Sequence, residues 1–254
     1  MTLVITEVSE RFGCVLVGDS AVTINGTQVQ LGAEKIHYSD DASIGFAIWG
    51  NACISGRRVD ELVSSFVKGL PAAASPRSAG RELAAFLTHE SEKDGRPWTQ
   101  LRGGVHVCGY QDSVPVLFHV HTGPELPAPQ GPFELHEDFP DATNGAQLRN
   151  GYYQMFAPLY LGMEQYVRRL NELKFTWPHQ SVEDRVSYFS IMVETVARTL
   201  EAAARLPAVG KDVSGFAFNR NGIQVEKRLP RRGEFCQGNG ALTSFYQPDS
   251  SPRY

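Results

Sequence analysis

Two short runs, Cys14-Val15-Leu16-Val17 and Ile44-Gly45-Phe46-Ala47-Ile48-Trp49, contain no charged or hydrogen-bonding aliphatic side chain. A strand with one wet face alternates polar and apolar residues, so runs like these call for strands covered on both faces. They sit among other β-rich runs. Thr2 to Val8 leads through the polar turn Ser9-Glu10-Arg11 into Phe12 to Gly18, and Glu34 to Tyr38 precedes Ser39-Asp40-Asp41 and the run ending at Trp49. Asn25-Gly26 reads as a two-residue hairpin turn between Ala21–Ile24 and Thr27–Gln30.

The period then changes. Val59, Leu62, Val63, Phe66 and Val67 recur at helical spacing, predicting a helix from about Ser55 to Leu70. After the small-residue loop 71–76, Ser78 reads as the N-cap of a second helix carrying Leu83, Phe86 and Leu87. Strands return at Gly104–Tyr110 and Val114–Val120. Thr122 to Asp141, with five prolines, reads as a long irregular connection. Tyr152–Leu173 and a segment opened by Ser181 and running to about Arg205 predict two more helices, the second with Val186, Phe189, Val193, Val196, Ala197 and Leu200 on one stripe. Asp212–Phe218 and Ile223–Lys227 close as a hairpin. Two sheets packed face to face, each covered outside by a helix pair, would bury all these runs: an α+β, four-layer αββα sandwich. We expect one domain over residues 1–229 and a polar tail, 230–254, loosely ordered or engaged in assembly.

Composition removes several functions. With 24 basic and 28 acidic residues the net charge is −4, which speaks against a nucleic-acid footprint. No apolar run approaches the roughly 20 residues of a membrane span, and the first residues lack the basic and apolar regions of a secretory signal. Cys14, Cys53, Cys108 and Cys236 lie far apart with no CxxC, as expected of reduced thiols in the cytoplasm.

Three residues carry the chemistry. Thr2 follows the initiator methionine, Asp19 ends an apolar strand in Gly18-Asp19-Ser20, and Lys35 opens another in Glu34-Lys35-Ile36-His37. Each alone has an ordinary role: a terminal residue, a turn acid accepting backbone N–H groups, a solvated strand lysine. Together they resemble proteasome β-subunits, of the N-terminal nucleophile (Ntn) hydrolases. Val15 to Thr23 resembles that family's "VVLAADSRAT" segment, Asp19 and Lys35 keep its spacing of 16, and Ile44 to Ala52 resembles its glycine-terminated strand. The likeness is specific to about residue 70; beyond that it rests on element order and on Lys211 to Gly215. The bacterial proteasome-like branch, including ancestral-type β-subunit homologues, is the nearest relative on these grounds.

The resemblance implies a threonine-type amide or peptide hydrolase. A hydroxyl is a poor nucleophile at neutral pH and needs a base. Once Met1 is removed, which the small Thr2 favours, the free α-amine can be that base. A nearby lysine ammonium would keep the amine neutral, and a buried ammonium needs an anion. On this reading Thr2 is nucleophile, Lys35 tunes the field, Asp19 orients it and the backbone N–H of Gly50 receives the oxyanion. Asp212 and Ser214 would support the amine, although Asp212-Val213-Ser214-Gly215 is one residue shorter than the family's Asp-x-x-Ser-Gly. Thr23 would pair its backbone with an extended substrate, and Val22, Ala33, His37, Ile48 and Ala52 would surround a largely apolar specificity pocket. No metal, nucleotide or organic cofactor is implied. Partners would be a peptide or amide substrate and further copies of the chain, as a ring or open spiral, with no nucleic acid and no membrane. Two alternatives share the fold: a non-catalytic assembly subunit, and an Ntn amidase acting on small molecules.

Another pattern asks for a metal. His119-Val120-His121 puts two imidazoles on one strand face, but sequence alone supplies no geometry by which His106 or His136 would complete a zinc set, so they read as strand histidines.

Overall fold

The computed structural model describes residues 2–24, 28–30, 32–50, 52–95, 101–122, 132–151, 153–172, 180–204, 209, 210 and 212–227. The tail expected from residue 230 lies outside them, as do the hairpin residues Asn25 and Gly26.

Two five-stranded antiparallel sheets form the centre. The first takes β1 (Leu3–Ser9), β2 (Gly13–Asp19), β12 (Ala146–Gly151), β13 (Val213–Asn219) and β14 (Gly222–Lys227), in the order β12-β1-β2-β13-β14. The second takes β5 (Ile36–Ser39), β6 (Ile44–Gly50), β9 (Gly103–Gln111), β10 (Val114–His121) and β11 (Glu134–Phe139), in the order β11-β10-β9-β6-β5. Two short hairpins, β3 (Val22–Ile24) with β4 (Gln28–Gln30) and β7 (Cys53–Ile54) with β8 (Arg57–Arg58), complete the strands. In the first, Ile24 lies opposite Gln28, so the strands are set one residue further apart than a two-residue Asn-Gly turn would leave them.

Three apolar layers explain the uninterrupted runs. Val4, Cys14, Leu16, Ala47, Cys108 and Phe218 pack between the sheets. Phe46, Ile48, Val105 and Val107 point the other way, onto α1 (Val59–Lys68) and α2 (Pro76–Glu92). Val15, Val17, Val213 and Ala217 meet α4 (Val182–Ala204), whose predicted stripe is buried there, with α3 (Tyr153–Glu172) alongside. Cys14 through Val17 are fully buried, as a strand sandwiched on both faces must be. The architecture is the expected αββα sandwich.

Local details depart from expectation. The first helix begins at Val59, not near Ser55, because Ser55 and Gly56 both have positive φ, +49° and +72°, and turn the β7–β8 hairpin. The second helix is capped by Ser75: its side chain accepts the N–H of Ser78, and Ser78 returns the favour to the Ser75 N–H. Ser78 is thus the third helical residue of a capping box with Pro76 at the first position. The stretch expected to be irregular to Asp141 contains β11, and β12 was not foreseen. Both are edge strands rich in polar residues, a composition that hides a strand from periodicity but suits an unpaired edge.

One polar assembly crosses the apolar middle layer. His106 of β9 reaches the opposite sheet, its Nδ1 2.9 Å from Thr6 Oγ1 and its Nε2 2.7 Å from Asn150 Oδ1. Burial pushes His106 down to about 4 from the usual value near 6.5, so the brace is neutral at pH 7. The unfolded chain therefore takes up a proton between pH 6.5 and 4 that the folded chain refuses, and folding stability falls as pH drops through that window. At 1.36 kcal/mol per pH unit the loss is roughly 3 kcal/mol by pH 4. Urea midpoints at pH 7 and pH 4.5 should diverge in the wild type and diverge less in His106→Gln, with the buried His119 supplying part of the remaining acid loss.

Candidate active site

The site forms where the start of β1 meets the end of β2. These strands are antiparallel neighbours joined by the turn at 10–12, with Val4 opposite Gly18. Asp19, one residue on, faces the first residues of the chain. Its Oδ1 accepts the backbone N–H of Leu3 at 2.8 Å and the Nζ of Lys35 at 2.7 Å. Its Oδ2 accepts the N–H groups of Ala21 at 3.0 Å and Gly210 at 2.8 Å. Asp19 is thus both the turn acid and the lysine partner that the sequence offered as separate roles. Lys35 also donates to the carbonyl of Ala21 at 2.5 Å.

Asp19 and Lys35 are 1% and 5% exposed, so the pair is desolvated and its worth depends on this complete hydrogen bonding. Burial lowers the Lys35 pKa from its ordinary range, while the charge and hydrogen bond of Asp19, and the more distant charge of Asp60, pull it back up.

Thr2 is buried, at 6% exposure, and lines a small open pocket with Ala33, Lys35, Ile48, Gly50 and Ala52. Trp49, Val59 and Asp60 complete the wall. Two glycines shape this corner. Gly151 lies opposite Leu3 with φ +102°, and a Cβ there would fall 1.7 Å from the Thr2 carbonyl oxygen. Gly50 has φ +94°, and a Cβ there would meet the backbone of Gly103 at 2.3 Å. Both positions exclude a side chain on conformation and on space. The Ile48 N–H donates across to the Lys35 carbonyl at 2.8 Å. Strand alternation sends the Gly50 N–H to the same side, toward the lysine strand.

Not every expected residue gathers here. His37 is buried further along β5, opposite Phe46, and is not among the lining residues. Asp212 has an exposed side chain and meets the site through its backbone carbonyl, which accepts the Ser20 N–H at 3.0 Å. Ser214 lies opposite Gly18 in β13, one step from Asp19. Val22 and Thr23 occupy β3, paired with Gln30 and Val29, and their side chains lie outside the described part of the structure. Asp60 was not anticipated. It takes a bidentate grip from Arg58, at 2.9 Å and 2.5 Å, and accepts the Glu34 N–H at 3.2 Å, steadying the approach to Lys35. An acid in the first turn of a helix offers no signal that distinguishes this role.

The histidines of the second sheet do form a row, because His119 lies opposite both His106 and His136. Among the described residues no three His, Cys, Asp or Glu side chains are arranged to hold a metal ion, and no helix is long and apolar enough to cross a membrane.

No protein-family model matches the sequence, and no curated protein matches it. Solved structures do match in shape. Anbu from Hyphomicrobium sp. strain MC1 superposes with a TM-score of 0.58 at 13% identity, over 92% of this chain and 90% of that one. Anbu (ancestral beta-subunit) from Yersinia bercovieri gives 0.56 at 14% identity, over 85% and 81%. The chain of the helical assembly of the Anbu complex from Pseudomonas aeruginosa gives 0.56 at 15%, over 86% and 81%. The fold is therefore an Ntn-hydrolase, proteasome-like one.

The hydrogen bonds rank two substitutions. Asp19→Ala strands a buried ammonium and three backbone N–H groups, whereas Lys35→Met leaves the carboxylate with its three N–H donors. Breaking a buried pair in this way costs about 3–5 kcal/mol, so Asp19→Ala should lose that much in urea denaturation and Lys35→Met distinctly less.

Proposed function

We propose that the chain is a threonine-type hydrolase that cleaves amide bonds, in peptides, through an acyl-enzyme on Thr2. The observation that supports this most strongly is the shared Asp19 Oδ1, which ties the backbone beside Thr2 and the ammonium of Lys35 to a single atom. A terminal residue with no chemical task has no need of a desolvated cation beside it, since burying that cation costs free energy.

After loss of Met1, the Thr2 hydroxyl adds to the substrate carbonyl and its proton passes to the Thr2 α-amine. An unperturbed amine of this kind titrates near 8, and a neighbouring ammonium lowers that value, keeping it neutral and basic. The Gly50 N–H receives the developing oxyanion. The tetrahedral adduct then expels the amine product, which takes the proton, and leaves an ester on Thr2 Oγ1. Water, deprotonated by the same α-amine, hydrolyses the ester and regenerates the hydroxyl. Asp19 holds Lys35 in place, and in this proposal Ser214, opposite Gly18, and the backbone carbonyl of Asp212, which accepts the Ser20 N–H, support the corner that carries the amine. Ala33, Ile48 and Ala52 offer an apolar wall to a substrate side chain. The backbone of Thr23 in β3 would pair with an extended peptide. Self-association as a ring or open spiral, in the cytoplasm, is part of this proposal. The helical assembly of the Pseudomonas aeruginosa neighbour favours the self-association.

The test is threefold. Intact mass should show Met1 removed. Thr2→Ala should abolish hydrolysis of fluorogenic peptide amides while leaving the urea midpoint close to wild type. A chain extended before Thr2, whose amine has become an amide, should be equally inactive. Unchanged turnover in Thr2→Ala, or in the extended chain, would sink the proposal.

A further inference from the structure

Trp49, one residue before Gly50, lines the same pocket as Lys35. Trp49 lies opposite Gly104 of β9, and Gly104 lies opposite His121 of β10. A Cβ on Gly104 would stand 2.8 Å from the indole Nε1 and 2.9 Å from His121 Cβ. The missing side chain opens a gap in β9 across which the indole passes. Beyond it, Trp49 Nε1–H donates to Nε2 of His119 at 2.8 Å.

His119 is itself tightly seated. It is 7% exposed, meets His106 edge-on at 5.0 Å between ring centroids and lies 4.4 Å from His121, which stacks on His136 at 3.9 Å. Its Nδ1 is 4.0 Å from Asp138 Oδ2 on β11. Because Nε2 accepts from the indole, the neutral ring carries its proton on Nδ1, on the side of that carboxylate. No step of the proposed chemistry uses this chain of groups, yet it ends against the residue adjoining Gly50.

We propose that His119 is a positioning residue for the candidate active site: by holding the Trp49 indole across Gly104 it fixes both the pocket wall and the peptide that carries the Gly50 N–H. This inference rests on the hydrolase reading for its effect on turnover, but not for the link itself. Protonation at Nε2 would set a donor against the indole donor and release it. The groups facing His119 are His106 from β9, His121 from its own strand, and His136 and Asp138 from β11, with Glu134 opposite His121. Burial and the three neighbouring imidazoles lower the His119 pKa, so the link is intact at neutral pH and is lost only in acid.

The experiment uses the intact chain labelled with 15N. Long-range 1H–15N spectra should show His119 as the Nδ1–H tautomer at pH 7, and the Trp49 indole N–H, assigned through Trp49→Phe, should exchange slowly with solvent. In His119→Phe that protection should vanish and the Gly50 amide resonance should move. In His119→Gln, whose amide oxygen can accept, both should return toward wild type. Misplacing a group that meets the transition state costs up to about 100-fold. We expect kcat on a peptide amide to fall at least about tenfold in His119→Phe, with KM changed less, and to recover to within about threefold in His119→Gln. The opposite tautomer in the wild type overturns the proposal without any variant. An unmoved Gly50 amide in His119→Phe also overturns it, as does equal turnover in all three proteins. If the wild type cleaves no amide at all, the hydrolase reading falls, and the Gly50 and indole resonances alone decide whether His119 positions this wall.

Discussion

One oxygen atom, Oδ1 of Asp19, holds the corner of the molecule together. It accepts the Leu3 N–H and the Lys35 ammonium at almost equal distance, so the first strand of one sheet and the approach to the outer strand of the other are joined through a single acceptor. The second oxygen takes Ala21 and Gly210, tying in the turn after β2 and the segment before β13. Four chain segments therefore converge on one desolvated carboxylate. Such a group is costly to bury, and it persists because every partner is present. The pocket beside it inherits that rigidity, since Thr2 and Lys35 are placed by the same atom.

Much of this is legible in the sequence. Continuous apolar runs specify strands covered on both faces, and the stripe of α4 specifies a helix with one covered face; a pair of sheets between helix pairs satisfies both. Thr2, Asp19 and Lys35 were marked by their types and by the spacing of a resemblance, and they do meet. The polar edges were not readable. β11 and β12 bury little, so burial writes no period into Glu134–Phe139 or Ala146–Gly151. Nor was the row of histidines, because the alignment of His106, His119 and His136 is a matter of strand register across three strands, which no local pattern encodes. Asp60 escaped for a similar reason: an acid in the first turn of a helix is ordinary, and its tie to the Glu34 N–H exists only once α1 is docked.

The inter-sheet layer is more than a seam of apolar side chains. Its far side carries neutral imidazoles that hydrogen-bond to Thr6, Asn150 and Trp49, binding both sheets and the strand that ends at Gly50. Buried polar groups that are fully partnered restrict a core to one arrangement where apolar ones would allow several. Glu7 and Arg185 add a comparable tie outside this layer, a paired contact between β1 and α4. Strand β1 is in this way held from three directions: by the histidine below, the arginine above and the carboxylate at its end.

The pairing of β1 with β2 closes a loop whose two ends are Leu3 and Asp19, joined by a hydrogen bond. Inserting or deleting one residue inside either strand would turn its later side chains inside out and carry the threonine off the aspartate. The turn at residues 10–12 is the one place in this segment where length could drift over evolutionary time without dismantling the corner. The spacing inside each of the two strands is therefore a ruler, set by their pairing, whereas the turn between them is free to lengthen without moving Leu3 off Asp19.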